Sequence, residues 1–327
     1  MRLLLSTIVA LLFAGALVGC SSSKKSSGVK AITPDDSAAL VYKVPAGMED
    51  FYPSNPGKIA NYDGYTLVWN EEFSQKGRLN SAEWNYEHGF VRNNELQWYQ
   101  EDNATVHDGC LDIEGRIEEV VNPRYEEGHR DWRRNRPVAK YTSTSVTTRG
   151  SHEFKYGRYE VRAKIPTVSG SWPAIWMLGN KHGWPENGEL DIMEFYISNG
   201  QPGILANACW GGTRPNNGTW DSSFKPYSHF LAKDAQWGEK FHVWRMDWDK
   251  DYIRMYLDGE LLNEIDLSKT FNKGVKGLYD NPFSNDDPDF KAYILLNLAL
   301  GGNGGTPDDP SYPIHYLVDY VRVYSLQ

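Results

Sequence analysis

The chain has 327 residues, with 34 Lys and Arg against 43 Asp and Glu and a formal net charge of −9. That balance excludes nucleic acid as a general partner, because a phosphate backbone is bound by clustered basic side chains. Three cysteines do not make a disulfide scaffold, and the roughly 265 residues beyond the N-terminal lead-in suffice for one large domain with a full core.

The N-terminus has the layout of a targeting segment. Arg2 precedes an apolar run from Leu3 to Val18, broken only by Ser6 and Thr7 and short for a membrane span. The run ends in Leu17-Val-Gly-Cys20, which resembles a bacterial lipobox. The expectation is a signal peptide over 1–19 and a lipidated Cys20, hence a membrane-anchored lipoprotein of the outer membrane, facing the periplasm or the cell surface. A plain secretory signal with an incidental Cys is the alternative. Residues 20–60, rich in Ser, Pro, Lys and small residues, read as a polar tether and lead-in. Residues 61–327 remain as the main domain.

From Tyr62 onward the signals are β. Thr66–Trp69, Cys110–Arg116, Ser143–Thr148 and Arg158–Ile165 are short runs bounded by turn residues. The last alternates cleanly and predicts a strand with one wet face. Ile204–Trp210, Phe241–Trp248, Tyr252–Leu257 and Glu260–Ile265 follow, with Asp258-Gly259 as a tight hairpin signal. Tyr293–Ala299 and Tyr316–Tyr324 close the series. No long 3.6-residue period and no internal repeat interrupts it, so the chain reads as an all-β sandwich or barrel. Cys110 and Cys209 are expected as free, buried thiols. The basic cluster Arg130–Arg136 reads as a solvated loop with one stacked Arg, the alternative being a contact to an anionic sugar or a phosphate. Gly301-Gly-Asn-Gly-Gly305 lacks the Lys-Ser/Thr of a phosphate loop and reads as a turn.

Gly188-Glu-Leu-Asp-Ile-Met-Glu-Phe195 carries the most chemical information. Three carboxylates, Glu189, Asp191 and Glu194, lie among residues as apolar as a strand interior. Burying a carboxylate is costly, so three within six residues are hard to explain as scaffold. Alternation puts Glu189 and Asp191 on one face and turns Glu194 away. One extra residue near Ile192–Met193, a β-bulge, brings Glu194 back. Two glutamates then share a space with an aspartate between them, the equipment of a retaining glycosidase, in which the pair sits about 5–5.5 Å apart.

Glu-Leu-Asp-Ile-Met-Glu resembles the signature of glycoside hydrolase family 16, in the bulged form of laminarinases and agarases. Gly170-Ser-Trp-Pro-Ala-Ile-Trp-Met-Leu178, Arg92-Asn-Asn-Glu-Leu-Gln-Trp-Tyr99 and Val318-Asp-Tyr-Val-Arg-Val-Tyr324 fall in the family's order, so the resemblance covers roughly residues 62–326. It implies a β-jelly roll of two antiparallel sheets, with an open concave groove for an internal stretch of polysaccharide. It also implies Glu189 as nucleophile, Glu194 as general acid/base and Asp191 assisting Glu189. A sugar-stacking Trp is implied at Trp172 or Trp176, with Asn93 and Asn94 near the subsite preceding the cleaved bond and Trp210 also against substrate. Arg92 and Glu95 stay unassigned.

No cofactor is implied, although many members hold a structural calcium where Asp319 stands, here with Glu71 or Glu72. The rival reading of Asp319 is an ordinary strand-end hydrogen bond. The expected activity is that of a monomeric endo-β-1,3(4)-glucanase on a β-1,3- or mixed-linkage β-1,3/1,4-glucan. The chain departs from the family at Cys209, where many laminarinases have His, and at Phe195-Tyr196. Both departures leave open a β-galactan or host poly-lactosamine as substrate. A non-catalytic glycan-binding lipoprotein is the reading of another class, and it does not need the full carboxylate set.

Overall fold

Seventeen strands form the body of the described chain. In order they are β1 (Tyr65–Glu71), β2 (Asn85–Tyr86), β3 (Gln97–Tyr99), β4 (Ala104–His107), β5 (Cys110–Val121), β6 (Val138–Ser143), β7 (Ser145–Thr147) and β8 (Gly157–Lys164). Then come β9 (Ser171–Gly179), β10 (Glu189–Ser198), β11 (Gln201–Gly211), β12 (Gly218–Pro226), β13 (His242–Trp248), β14 (Tyr252–Leu257), β15 (Glu260–Asp266), β16 (Ala292–Leu300) and β17 (Ile314–Leu326). This computed structural model describes residues 44, 46–54 and 58–327, within a unit spanning Ala39–Gln327. The expected signal peptide, Cys20 and the first part of the tether lie outside the described residues.

Ten strands form one sheet along the path β15-β14-β13-β8-β17-β5-β6-β3, with β1 on β17 and β4 on β5. Seven form the other, in the order β12-β11-β10-β9-β16-β7-β2. All pairings are antiparallel except β3 with β6. This is the expected all-β jelly-roll sandwich. Alternate side chains of the two sheets meet in one core: Ile175 and Met177 of β9 and Leu296 and Leu298 of β16 face Val161 of β8, Val321 of β17 and Trp244 of β13, all buried. Each such side chain contributes about 1.5–3 kcal/mol on burial. The hairpin at Asp258-Gly259 has positive φ at both residues, 48° and 84°, as a two-residue primed turn requires.

The predicted wet face of the Arg158–Ile165 run is corrected. Glu160 and Arg162 of β8 are 4% and 8% exposed, because part of the expected tether covers them. Arg162 donates to the Tyr52 carbonyl at 3.1 Å and to that of Glu49 at 2.9 Å, and Tyr62 Oη donates to Glu160 at 2.6 Å. Glu49 and Tyr52 of the lead-in therefore pack on the outer face of the ten-stranded sheet, well before residue 61.

Candidate active site

The outer face of the seven-stranded sheet carries a groove of about 680 Å³. Strand alternation supplies its floor. Trp172, Ala174, Trp176 and Leu178 come from β9, Asn297 and Ala299 from β16, Asn207 from β11, and Trp220 and Ser222 from the edge strand β12. Arg92, Asn93 and Glu95 enter from the loop before β3, Trp184 from the loop before β10, and Gly302 and Asn303 from the glycine-rich turn after β16.

β10 holds the acids, and its register is broken where the sequence suggests. Asp191 pairs with Asn207 and Glu194 with Leu205 on one side; Asp191 pairs with Trp176 and Met193 with Ile175 on the other. The extra residue sends both Ile192 and Met193 into the core, at 1% and 0% exposure. Glu194 is thereby returned to the groove beside Glu189 and Asp191.

The three acids are held by neutral donors. Trp172 Nε1 donates to Glu194 at 2.8 Å. Trp184 Nε1 donates to Glu189. Asn207 Nδ2 bridges Asp191 at 3.2 Å and Glu194 at 3.1 Å. Asp191 is also hydrogen-bonded to Glu189. Burial pushes all three carboxyls up, and Glu194 reaches about 7. The charges of Glu194 and Glu189 add to burial at Asp191 and hold it well above the usual range. The Asp191 hydrogen bond opposes the rise at Glu189 and enhances it at Asp191, so within this pair the proton is favoured on Asp191. One acid that is ionised beside another that holds a proton near neutrality can divide nucleophilic and acid/base work.

Trp172, Trp176 and Asn93 lie on the groove as expected. Trp176 donates to Asn297 at 2.7 Å, and the Arg92 guanidinium lies 4.9 Å over its ring. Arg92 pairs with Glu87 rather than Glu95. Asn94 faces elsewhere: Arg136, from the loop that follows β5, donates to its carbonyl at 2.9 Å and its side chain at 2.6 Å. Trp210 is corrected to a core residue, 5% exposed and edge-on to Phe283. On β11 the groove face belongs to Asn207, and parity turns Trp210 inward. The calcium reading of Asp319 is also corrected. Its carboxylate accepts from Ser54 Oγ and Arg162 Nη1, both at 2.6 Å, so a guanidinium stands where a dication would need room and negative charge. Glu72 is likewise taken by Arg322. Among the described residues no group of three or more His, Cys, Asp or Glu converges as metal ligands. Cys110 and Cys209 are free and buried.

Sequence reasoning missed Trp184, Asn207, Trp220 and Asn297. Asn207 was open to detection, as a polar residue inside the apolar run Ile204–Trp210. Trp184 and Trp220, 39% and 47% exposed, come from a loop and an edge strand without hydrophobic periodicity.

The family model described as glycosyl hydrolases family 16 matches residues 96–283. A glucan endo-1,3-beta-glucosidase A1 from Niallia circulans is 33% identical over 284 residues, 81% of this chain and 38% of that protein. A beta-glucanase from Rhodothermus marinus is 31% identical over 80% of this chain and 85% of its own length. A solved structure from work on endo-acting O-glycanases with which human gut bacteria initiate mucin breakdown superposes with a TM-score of 0.70. It is 35% identical over 81% of this chain and 92% of its own.

Proposed function

The chain belongs to glycosyl hydrolases family 16, and from that premise we propose that it is a retaining endo-β-glycosidase acting on internal bonds of a β-1,3- or mixed-linkage β-1,3/1,4-glucan. The observation that carries this reading is the bulge in β10, which brings Glu189 and Glu194 onto one groove face with Asp191 between them.

In the first half-reaction the Glu189 carboxylate attacks the anomeric carbon as the glycosidic C–O bond breaks. Glu194 delivers its proton to the departing oxygen. Water then attacks the same carbon, Glu194 takes the proton from it, and Glu189 leaves as carboxylate. Asp191 keeps its proton throughout, donates it as a hydrogen bond to Glu189 and fixes that side chain. The carboxyls carry the whole cycle, so no cofactor is called for. Sugars pack on Trp172 and the Trp220 face, since indole offers a flat apolar surface to the C–H side of a pyranose. The groove runs from Trp220 on the edge strand to Asn93 at the far side, which suits a chain passing through it.

A second reading keeps the mechanism and changes the sugar to a β-galactan or poly-lactosamine. It is favoured by the likeness to the O-glycanase work and by Cys209, which pairs with Glu189 on the neighbouring strand. Reducing-sugar release and product sizing on laminarin, cereal β-glucan, galactan and lactosamine chains test both. Short glucan oligosaccharides support the first reading. Cleavage of galactan or lactosamine alone replaces it with the second, and glucose as the sole early product refutes endo action.

Lipidation of Cys20 completes the proposal, placing a monomeric enzyme at the outer membrane. Acyl methylenes contribute roughly 0.8 kcal/mol each on burial in a bilayer. Membrane partition that Cys20→Ala abolishes is the expected result, and a wholly soluble wild-type protein refutes it.

A further inference from the structure

The loop before β10 carries Trp184, whose indole donates to Glu189. Two residues on, Glu186 is 1% exposed. One oxygen of its carboxylate accepts from Lys276 Nζ at 3.2 Å, and the other has no hydrogen-bond partner. Lys276 belongs to a second loop, residues 271–280, and its own side chain is half exposed. The same loop grips the first at two further points and the end of β11 at one. Asn272 Nδ2 donates to the Glu186 carbonyl at 3.0 Å, Asn272 Oδ1 accepts from Gly211 N at 2.7 Å, and Asp280 meets His182 at 2.8 Å.

A buried carboxylate held by a single cation has a strong drive to reach water when that cation is removed. Glu186 would swing outward, and Trp184 lies one proline away. We propose that the 271–280 loop is a brace which, through Lys276 on Glu186, positions Trp184 against Glu189. Lys276 touches neither substrate nor the reacting atoms, so it is a positioning residue. This inference rests on Glu189 being the nucleophile of the proposed reaction.

The brace has a specific electrostatic consequence. Glu189 is faced by Asp191 and Glu194 on its own strand, Cys209 on β11 and the Arg92 charge across the groove. The Trp184 hydrogen bond is the largest influence opposing burial there. Losing it favours the protonated carboxyl, so the acidic limb of the kcat/KM profile moves to higher pH.

The test compares purified wild type, Lys276→Ala, Lys276→Arg, Trp184→Phe and Glu189→Gln on whichever polysaccharide the wild type cleaves. Lys276→Ala and Trp184→Phe should each move the acidic limb up by about half a pH unit, a threefold loss of kcat/KM on that limb. Lys276→Arg should leave it in place. An unmoved limb in Lys276→Ala, with only a lower melting temperature, overturns the brace. An unmoved limb in Trp184→Phe overturns it as well. Near-normal activity of Glu189→Gln instead refutes the functional reading itself, and so separates the two failures.

Discussion

The two outer sheet faces bury ionised or ionisable groups in opposite ways. On the ten-stranded sheet several acids are set directly against guanidinium groups. Asp319 meets Arg162 at 2.6 Å, Glu72 meets Arg322 at 2.8 Å, and Asp247 meets Arg158 at 2.7 Å. On the seven-stranded sheet Glu189, Asp191 and Glu194 are stacked along one strand, form no ion pair with a base among the described residues and accept from the neutral N–H groups of Trp172, Trp184 and Asn207. Paired charges settle a register. Acids crowded without a base raise one another's proton affinity, at a cost in stability that the core must offset. The difference separates scaffold from chemistry without reference to any relative.

The largest effect should come from removing the unpaired acids. Glu189→Gln and Glu194→Gln should each lower kcat by a factor of about 10³ or more, with circular dichroism unchanged. Proton NMR of the first product should show the β anomer, since two inversions restore configuration; an α anomer would mean a single displacement. Near-normal turnover in Glu194→Gln would remove it from the acid/base role.

The opposite face should respond in the opposite sense. Asp319→Ala strips the partner from Arg162 and should destabilise the fold by about 3 kcal/mol, as truncating one member of a buried pair does. Turnover per folded molecule should stay at the wild-type level. Denaturant titration and active-site-normalised rates separate the two, and a drop in kcat without a drop in stability would erase the contrast.

Much of this contrast was legible in the sequence. Three acids within an apolar run are costly, and parity alone shows that Glu194 needs a bulge to join Glu189. Two misreadings share one cause. Glu160 and Arg162 looked solvated because they alternate with apolar residues, yet their cover, Glu49, Tyr52 and Tyr62, lies about a hundred positions away. Local pattern records polarity, and cover is a tertiary property. Trp210 was assigned by resemblance, although counting from Asn207 along β11 turns it inward. Trp184 and Trp220 reach the groove from a loop and an edge strand, where no period exists to betray a facing direction.

Linkage offers a finer test of the unpaired face. A carboxyl whose folded pKa is raised is favoured in the protonated form by folding. Its stabilising contribution is full below the unfolded value, near 4.5, and is lost as pH rises through the folded value, about 7 for Glu194. Glu194→Gln lacks this loss. It should therefore match the wild type in stability below pH 4.5 and exceed it at pH 8, by at most about 3 kcal/mol. Equal stability at both pH values would mean that burial does not raise the group. In the wild type the basic limb of kcat/KM should fall near pH 7, where Glu194 loses the proton it must donate.

The smallest expected effect asks what a neutral donor contributes that a guanidinium would not. Trp172 both borders the groove and donates to Glu194 at 2.8 Å. Its N–H favours the charged carboxylate, opposing burial, so it holds Glu194 near neutrality rather than far above it. An arginine in its place would pull the carboxyl down and spoil the acid. Trp172→Phe keeps an aromatic face and deletes the N–H. The basic limb should then move upward by a few tenths of a pH unit, with polymer KM almost unchanged. Trp172→Ala loses the stacking surface as well, and should cost about 1 kcal/mol more in kcat/KM on polymer. If both variants shifted KM equally and neither moved the limb, Trp172 would be a sugar platform alone. The tuning of Glu194 would then rest with Asn207, its other neutral donor.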